Sequence, residues 1–154
     1  MSALTTRDVS PIHVLLVEDN LGDVRLTREA LRESQVPLVL HIASDGIAAL
    51  EFLEREGAFH DAPRPSLILL DLNLPRLDGH GVLAAIKADA SLMEIPVIVL
   101  TTSESSTDVM RSYELHANCY VTKPIDLDSY VAMFHFWLTV ARLPRAPERS
   151  GVTP

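Results

Sequence analysis

Five polar residues stand directly behind four short apolar runs. Glu18 and Asp19 follow Ile12–Val17, Asp71 follows Leu67–Leu70, Thr101 follows Val97–Leu100, and Lys123 follows Cys119–Thr122. If the runs are parallel strands of one sheet, these side chains meet at its carboxyl edge, where open α/β sheets build their sites. Three carboxylates in so small a volume repel one another and hold protons more tightly unless a cation neutralises them. The set offers oxygen ligands with neither Cys nor His beside them, which favours a hard divalent ion, Mg²⁺, bound by carboxylates, a backbone carbonyl and waters. Once that ion and the Lys123 ammonium lower the charge, one carboxylate can attack a phosphorus atom. Thr101 can donate a hydrogen bond to a phosphoryl oxygen, and the product is an aspartyl phosphate.

Each residue alone also fits plain structure. Asp19 and Asn20 suit a helix cap, Thr101 a cap of the following turn, Asp71 a turn, and Lys123 a solvated strand end. Chance placement becomes a weak account only when four strands present complementary groups together. The runs IHVLLV, VLHIA, SLILL, PVIVL and CYVT are short, β-branched and mostly apolar without alternation, as strands covered on both faces should be. Helical patterns separate them: Leu21–Ser34 behind Asn20, Ala48–Arg55 behind Ser44-Asp45-Gly46, then about Gly79 to Ala90, Glu104 to His116 and Asp126 to Arg142. Five β-α repeats with right-handed crossovers predict a doubly wound α/β fold with helices on both faces of a parallel sheet. Glu56–Pro65, with Gly57, Pro63 and Pro65 and no periodicity, reads as a surface loop. The expected organisation is a flexible N-terminus over 1–10, one domain over 11–143 and a disordered tail over 144–154.

With 154 residues and 47% hydrophobic content, the chain suits one compact domain. A net charge of −8 with no basic stretch argues against nucleic-acid binding. A single cysteine, Cys119, forms no internal disulfide and suits a reducing cytosol. The polar N-terminus lacks a secretory core, and Tyr130–Leu143 falls short of the roughly 20 residues that cross a bilayer, so a cytoplasmic protein is expected. His13, His41, His60, His80, His116 and His135 show no metal-ligand spacing and read as surface or core residues. Neither GxxxxGK[ST] nor GxGxxG is present to hold a nucleotide.

In order, VLLVEDN (14–20), DLNLPRLDG (71–79), PVIVLTTS (96–103) and YVTKP (120–124) resemble the receiver domains of two-component response regulators, over about Ile12 to Leu143. The resemblance implies a flavodoxin-like sheet in the order 2-1-3-4-5. It also implies that Asp71 takes a phosphoryl group from the phosphohistidine of a histidine kinase. Asp19, Asp71 and the backbone carbonyl of Asn73 would then ligate Mg²⁺, with Glu18 acting through a bound water and Lys123 pairing with the acceptor. Glu18 departs from the second Asp that many receivers carry, but keeps the charge. The Lys123–Pro124 bond resembles one usually cis in the family. Thr101 and Tyr120 resemble the switch pair that biases a surface formed by the fourth helix, fifth strand and fifth helix. SYELHANCYVTKP (112–124) and the late FWL and ARLP resemble single-domain regulators partnered with bacterial and cyanobacterial phytochromes.

The fifth helix carries two apolar stripes. Leu127, Tyr130, Val131, Phe134, Trp137, Leu138 and Ala141 form one; Met133, Phe136, Val140 and Leu143 form the other. Together they span roughly 240° against the roughly 100° that a surface helix needs for its own core. A homodimer using Met133, Phe136, Trp137 and Val140 would cover the excess, and so would a tail folded back over it. Two other function classes fit less well. Aspartyl phosphohydrolases of the haloacid dehalogenase type place an acidic Asp two residues after the nucleophile, where this chain has Asn73. A phosphorylation-independent interaction module would not require the complete acidic, Thr and Lys set.

Overall fold

The computed structural model describes residues 11–102, 109–110, 113–114, 117, 119–123 and 126–141, except the side chains of Thr101 and of residues 139–141. The N-terminus and tail, the Lys123–Pro124 bond, and most of the helix expected from Glu104 to His116 lie outside the described residues. The strands are β1 (Ile12–Val17), β2 (Leu38–Ala43), β3 (Leu67–Leu70), β4 (Val97–Thr101) and β5 (Cys119–Thr122). They form one parallel sheet in the order β2-β1-β3-β4-β5, as the resemblance implies. The helices are α1 (Leu21–Glu33), α2 (Gly46–Glu54), α3 (Gly79–Ala88) and the last helix, Leu127–Ala141.

Strand side chains alternate between two cores. Leu15, Val17, Ile68, Leu70, Val97 and Val99 pack with Phe52 and Leu53 of α2 and Val82, Leu83 and Ile86 of α3. Val14, Leu16, Leu67, Leu69, Ile98 and Leu100 pack with Val24 and Leu31 of α1 and Tyr130, Phe134 and Leu138 of the last helix. Both faces are thus buried, which explains the unbroken apolar runs.

Capping fixes where three helices begin. Asn20, Asp45 and Asp78 each sit in extended backbone, and each side chain accepts from an amide three residues on, at Asp23, Ala48 and Gly81. α2 therefore starts two residues before the apolar pattern suggests. α3 stops at Ala88, two residues early, because Asp89 is extended and accepts from Ser91. The Glu56–Pro65 loop holds a single 3₁₀ turn, Gly57–Phe59.

Register aligns the carboxyl ends. Val17 pairs with both Ala43 and Leu70, Leu70 with Val99, and Thr101 with Thr122. The ladder runs one residue further, since the Glu18 amide donates to Ala43 O at 3.0 Å and the Asp71 amide to Val17 O at 3.1 Å. Gly79 closes the loop behind Asp71. A Cβ there would meet the Asp71 carbonyl oxygen and stand 2.5 Å from Leu72 Cα. At Gly57 a Cβ would meet only open space, although φ is +56°. Gly79→Ala should therefore destabilise the fold by about 2 kcal/mol or more, because backbone must move, while Gly57→Ala should cost about 1 kcal/mol of left-handed strain; urea denaturation of both variants measures the difference.

Candidate functional site

Glu18 and Asp71, each one residue past a buried strand, turn their carboxylates toward the end of β5. The Lys123 ammonium meets them there. Its Nζ donates to Glu18 Oε1 at 2.7 Å, Asp23 Oδ2 at 2.7 Å and Asp71 Oδ2 at 3.3 Å. The side chains of Lys123, Glu18 and Asp71 are only 7%, 3% and 7% exposed, so water does little to screen them. Asp19 is exposed beside them, and one carboxylate oxygen from each of Glu18, Asp19 and Asp71 lies within 4.8 Å of the others. Among the described residues this is the one group of three or more potential ligands so arranged.

Backbone amides hold the carboxylates in place. Glu18 Oε2 accepts from the Asn20 amide at 3.2 Å, and Asp71 Oδ1 from the Asn73 amide at 3.3 Å. The loop from Asp71 to Gly79 is itself pinned. Gly79 donates to Leu72 O at 2.9 Å, and Arg76, in a left-handed conformation (φ 69°), reaches Asp45 Oδ2 at 3.1 Å. Asp45 thus caps α2 with one oxygen and ties down this loop with the other. Beside the loop opens a cleft of about 360 Å³ lined by Leu72, Asn73, Leu74, Asp78 and His80. A larger hollow of about 450 Å³, between the end of α1 and the start of β2, holds no carboxylate.

Burial raises the Glu18 carboxyl to about 7 even though Lys123 pulls it down, and the charge of Asp71 adds to the rise. For Lys123, burial works to lower the ammonium, but hydrogen bonds to Asp23 and Glu18 and the charge of Asp71 outweigh it and hold it above its ordinary value. The site at neutral pH is one cation among carboxylates, one of which is poised to hold a proton. Such a set fits a divalent cation through the hardness of its oxygens and its excess negative charge.

Of the residues singled out in the sequence, Glu18, Asp19, Asp71 and Lys123 converge, and Asn73 lies exposed on the adjoining loop. Thr101 ends β4 opposite Thr122, and its side chain lies outside the described residues. Tyr120 is half-buried on β5 against the α2–α3 core. On the last helix Phe136 is exposed, whereas Met133 and Trp137 pack in part against the α1-side core. The Val140 side chain lies outside the described residues. Asp23 was not anticipated. An acid in the first turn of a helix is ordinary dipole chemistry, and nothing in the sequence links it to a lysine 100 residues away. His13 and His41 also meet unexpectedly, 3.0 Å apart across β1 and β2.

The chain from residue 14 to 135 matches the family model of the response regulator receiver domain. Response regulator Rcp1 of Synechocystis sp. (strain ATCC 27184 / PCC 6803 / Kazusa) is 49% identical over 140 residues, spanning 88% of this chain and 95% of the relative. The crystal structure of the Mn(2+)-bound form of Rcp1 superposes with a TM-score of 0.82 at 47% identity, over 88% of this chain and all of that one. The phosphorylated cyanobacterial phytochrome response regulator RcpA gives a TM-score of 0.82 at 46% identity, over 88% of this chain and all of that one. The bacteriophytochrome response regulator AtBRR gives 0.73 at 36% identity, over 90% and 99%. With a parallel sheet in receiver order and an acidic, lysine-paired edge, this chain belongs to the response regulator receiver domain family.

Proposed function

We propose that Asp71 is the phosphoacceptor of a Mg²⁺-dependent phosphorelay and that the chain signals as a receiver. The observation that carries this reading is the contact of one buried ammonium with Glu18 and Asp71, with Asp19 beside them. Asp19, Asp71 and the Asn73 carbonyl would hold the ion, with Glu18 reaching it through water; the ion would offset charge on the phosphoryl oxygens. Asp71 presents its oxygen to the phosphorus, the Asn73 amide fixes the carboxylate plane, and Lys123 compensates the charge gained on transfer. Thr101 and Tyr120 would pass the change to the surface around β5 and the last helix.

The donor in this reading is a sensor histidine kinase of the phytochrome kind, suggested by the likeness to Rcp1, RcpA and AtBRR. Light sensing would belong to that partner. A cytoplasmic location accords with the absence, among the described residues, of any helix long and apolar enough to cross a membrane. Homodimerisation would use Met133, Phe136, Trp137 and Val140, and the exposed Phe136 ring supports it.

Intact-protein mass after exposure to acetyl phosphate tests the chemistry. One phosphoryl group should be gained with Mg²⁺, and none without it or in Asp71→Asn; no gain under any condition would move the protein to phosphorylation-independent interaction. The raised Glu18 carboxyl sets a pH dependence. Cation binding needs the carboxylate, so below pH 7 a proton must leave first. Glu18 shares the site with Asp19, Asp23, Asp71 and a Lys123 that stays charged, so the ionisation of Glu18 governs the change. Mg²⁺ affinity by calorimetry should rise roughly tenfold from pH 6 to pH 8; a flat profile would remove Glu18 from the site. Phe136→Glu should lower the mass seen by light scattering at micromolar concentration and leave phosphoryl gain intact, and equal loss of both would mark Phe136 as a core residue.

A further inference from the structure

We propose that Asp23 is a positioning residue that holds the Lys123 ammonium partly away from Asp71 until a phosphoryl group arrives. The inference rests on the reading of Asp71 as acceptor. Lys123 Nζ stands as close to Asp23 Oδ2 as to Glu18 Oε1, both 2.7 Å, while Asp71 Oδ2 is at 3.3 Å. The ammonium is therefore shared between an inner pair at the sheet edge and an outer carboxylate carried by α1. Its weakest contact is with the residue that reacts.

The three carboxylates differ in how well they tolerate losing Lys123. Glu18 and Asp71 are buried, and an uncompensated charge there is heavily penalised. Asp23 keeps 31% of its side-chain exposure and sits in the first turn of α1, its amide donating to Asn20 Oδ1 at 2.9 Å. Water and the positive end of the helix dipole can both stand in for the ammonium beside it. Asp23 is thus the partner that Lys123 leaves with least penalty.

When an Asp71 oxygen attacks the phosphorus of acetyl phosphate, one P–O bond forms and the bond to the acetate oxygen breaks, acetate departing with its electron pair. The single charge of Asp71 is replaced by the nearly two charges of a phosphoryl group, and the ammonium is drawn from Asp23 to it. Before transfer, Asp23 acts in two opposed ways. It keeps the ammonium from closing on Asp71, leaving that oxygen to a cation, and it adds negative charge that repels an anionic donor and competes for Lys123. Removing its charge should weaken cation binding yet speed transfer once the cation is saturating. Simple loss of structure would impair both.

The test is Asp23→Asn, with thermal unfolding to verify the fold and Asp23→Ala as a second variant. Calorimetry gives the Mg²⁺ Kd, and intact mass gives the rate of phosphoryl gain from acetyl phosphate at saturating Mg²⁺. Expected are a Kd weaker and a saturating rate faster, each by about two- to fivefold, the change that a partly exposed ion pair carries, with Asp23→Glu restoring both toward wild type. The proposal is overturned if both quantities worsen together, or if either fails to move. If wild-type protein itself gains no phosphoryl group, the acceptor reading fails separately, and the Kd alone decides: unchanged in Asp23→Asn, it removes Asp23 from the site.

Discussion

A single ammonium makes the acidic edge of this sheet compatible with a folded protein. Glu18 and Asp71 end buried strands and have too little water around them to carry adjacent charges unaided. Lys123, arriving on β5 from the far side of β4, supplies compensation, yet Glu18 remains hard to ionise. Much else in the architecture serves that meeting. The register sets Val17, Leu70 and Thr122 at one edge, the amides of Asn20 and Asn73 hold the carboxylates in place, and Gly79 lets the next helix start against the Asp71 carbonyl.

The sheet was legible in the sequence because burial on both faces leaves strands as unbroken apolar runs, and the polar residues that end each run mark the edge. Glu18, Asp71 and Lys123 could be placed together on that ground alone. What escaped was carried by single contacts between distant elements. Asp23 and Lys123, Asp45 and Arg76, and His13 and His41 pair through side chains whose types have ordinary local uses as first-turn acid, helix cap and strand residue. Burial and the charge of His13 push His41 below its usual range, a relation that no spacing rule encodes. Helix ends shifted by two residues where an Asp side chain, rather than apolar periodicity, decided the boundary.

The last helix shows the limit of periodicity. Its pattern distinguishes two apolar stripes but not how much of each the fold consumes. Tyr130, Phe134 and Leu138 are fully committed to the sheet and α1, and Met133 and Trp137 are covered in part. Phe136 alone among the aromatics of this helix faces outward, edge-on to Trp137 with ring centroids 5.0 Å apart. Among the described side chains of this helix, the surplus apolar surface is thus concentrated near one ring.

The contact between Lys123 and Glu18 spans 105 residues of chain. Closing so long a loop is entropically uphill until the intervening strands have paired, so the site appears only when the whole sheet has formed. A nascent chain that has exposed β1 to β4 to its surroundings carries the acidic residues but not their lysine. During synthesis, the acidic edge therefore goes without its compensating charge until the final strand is in place.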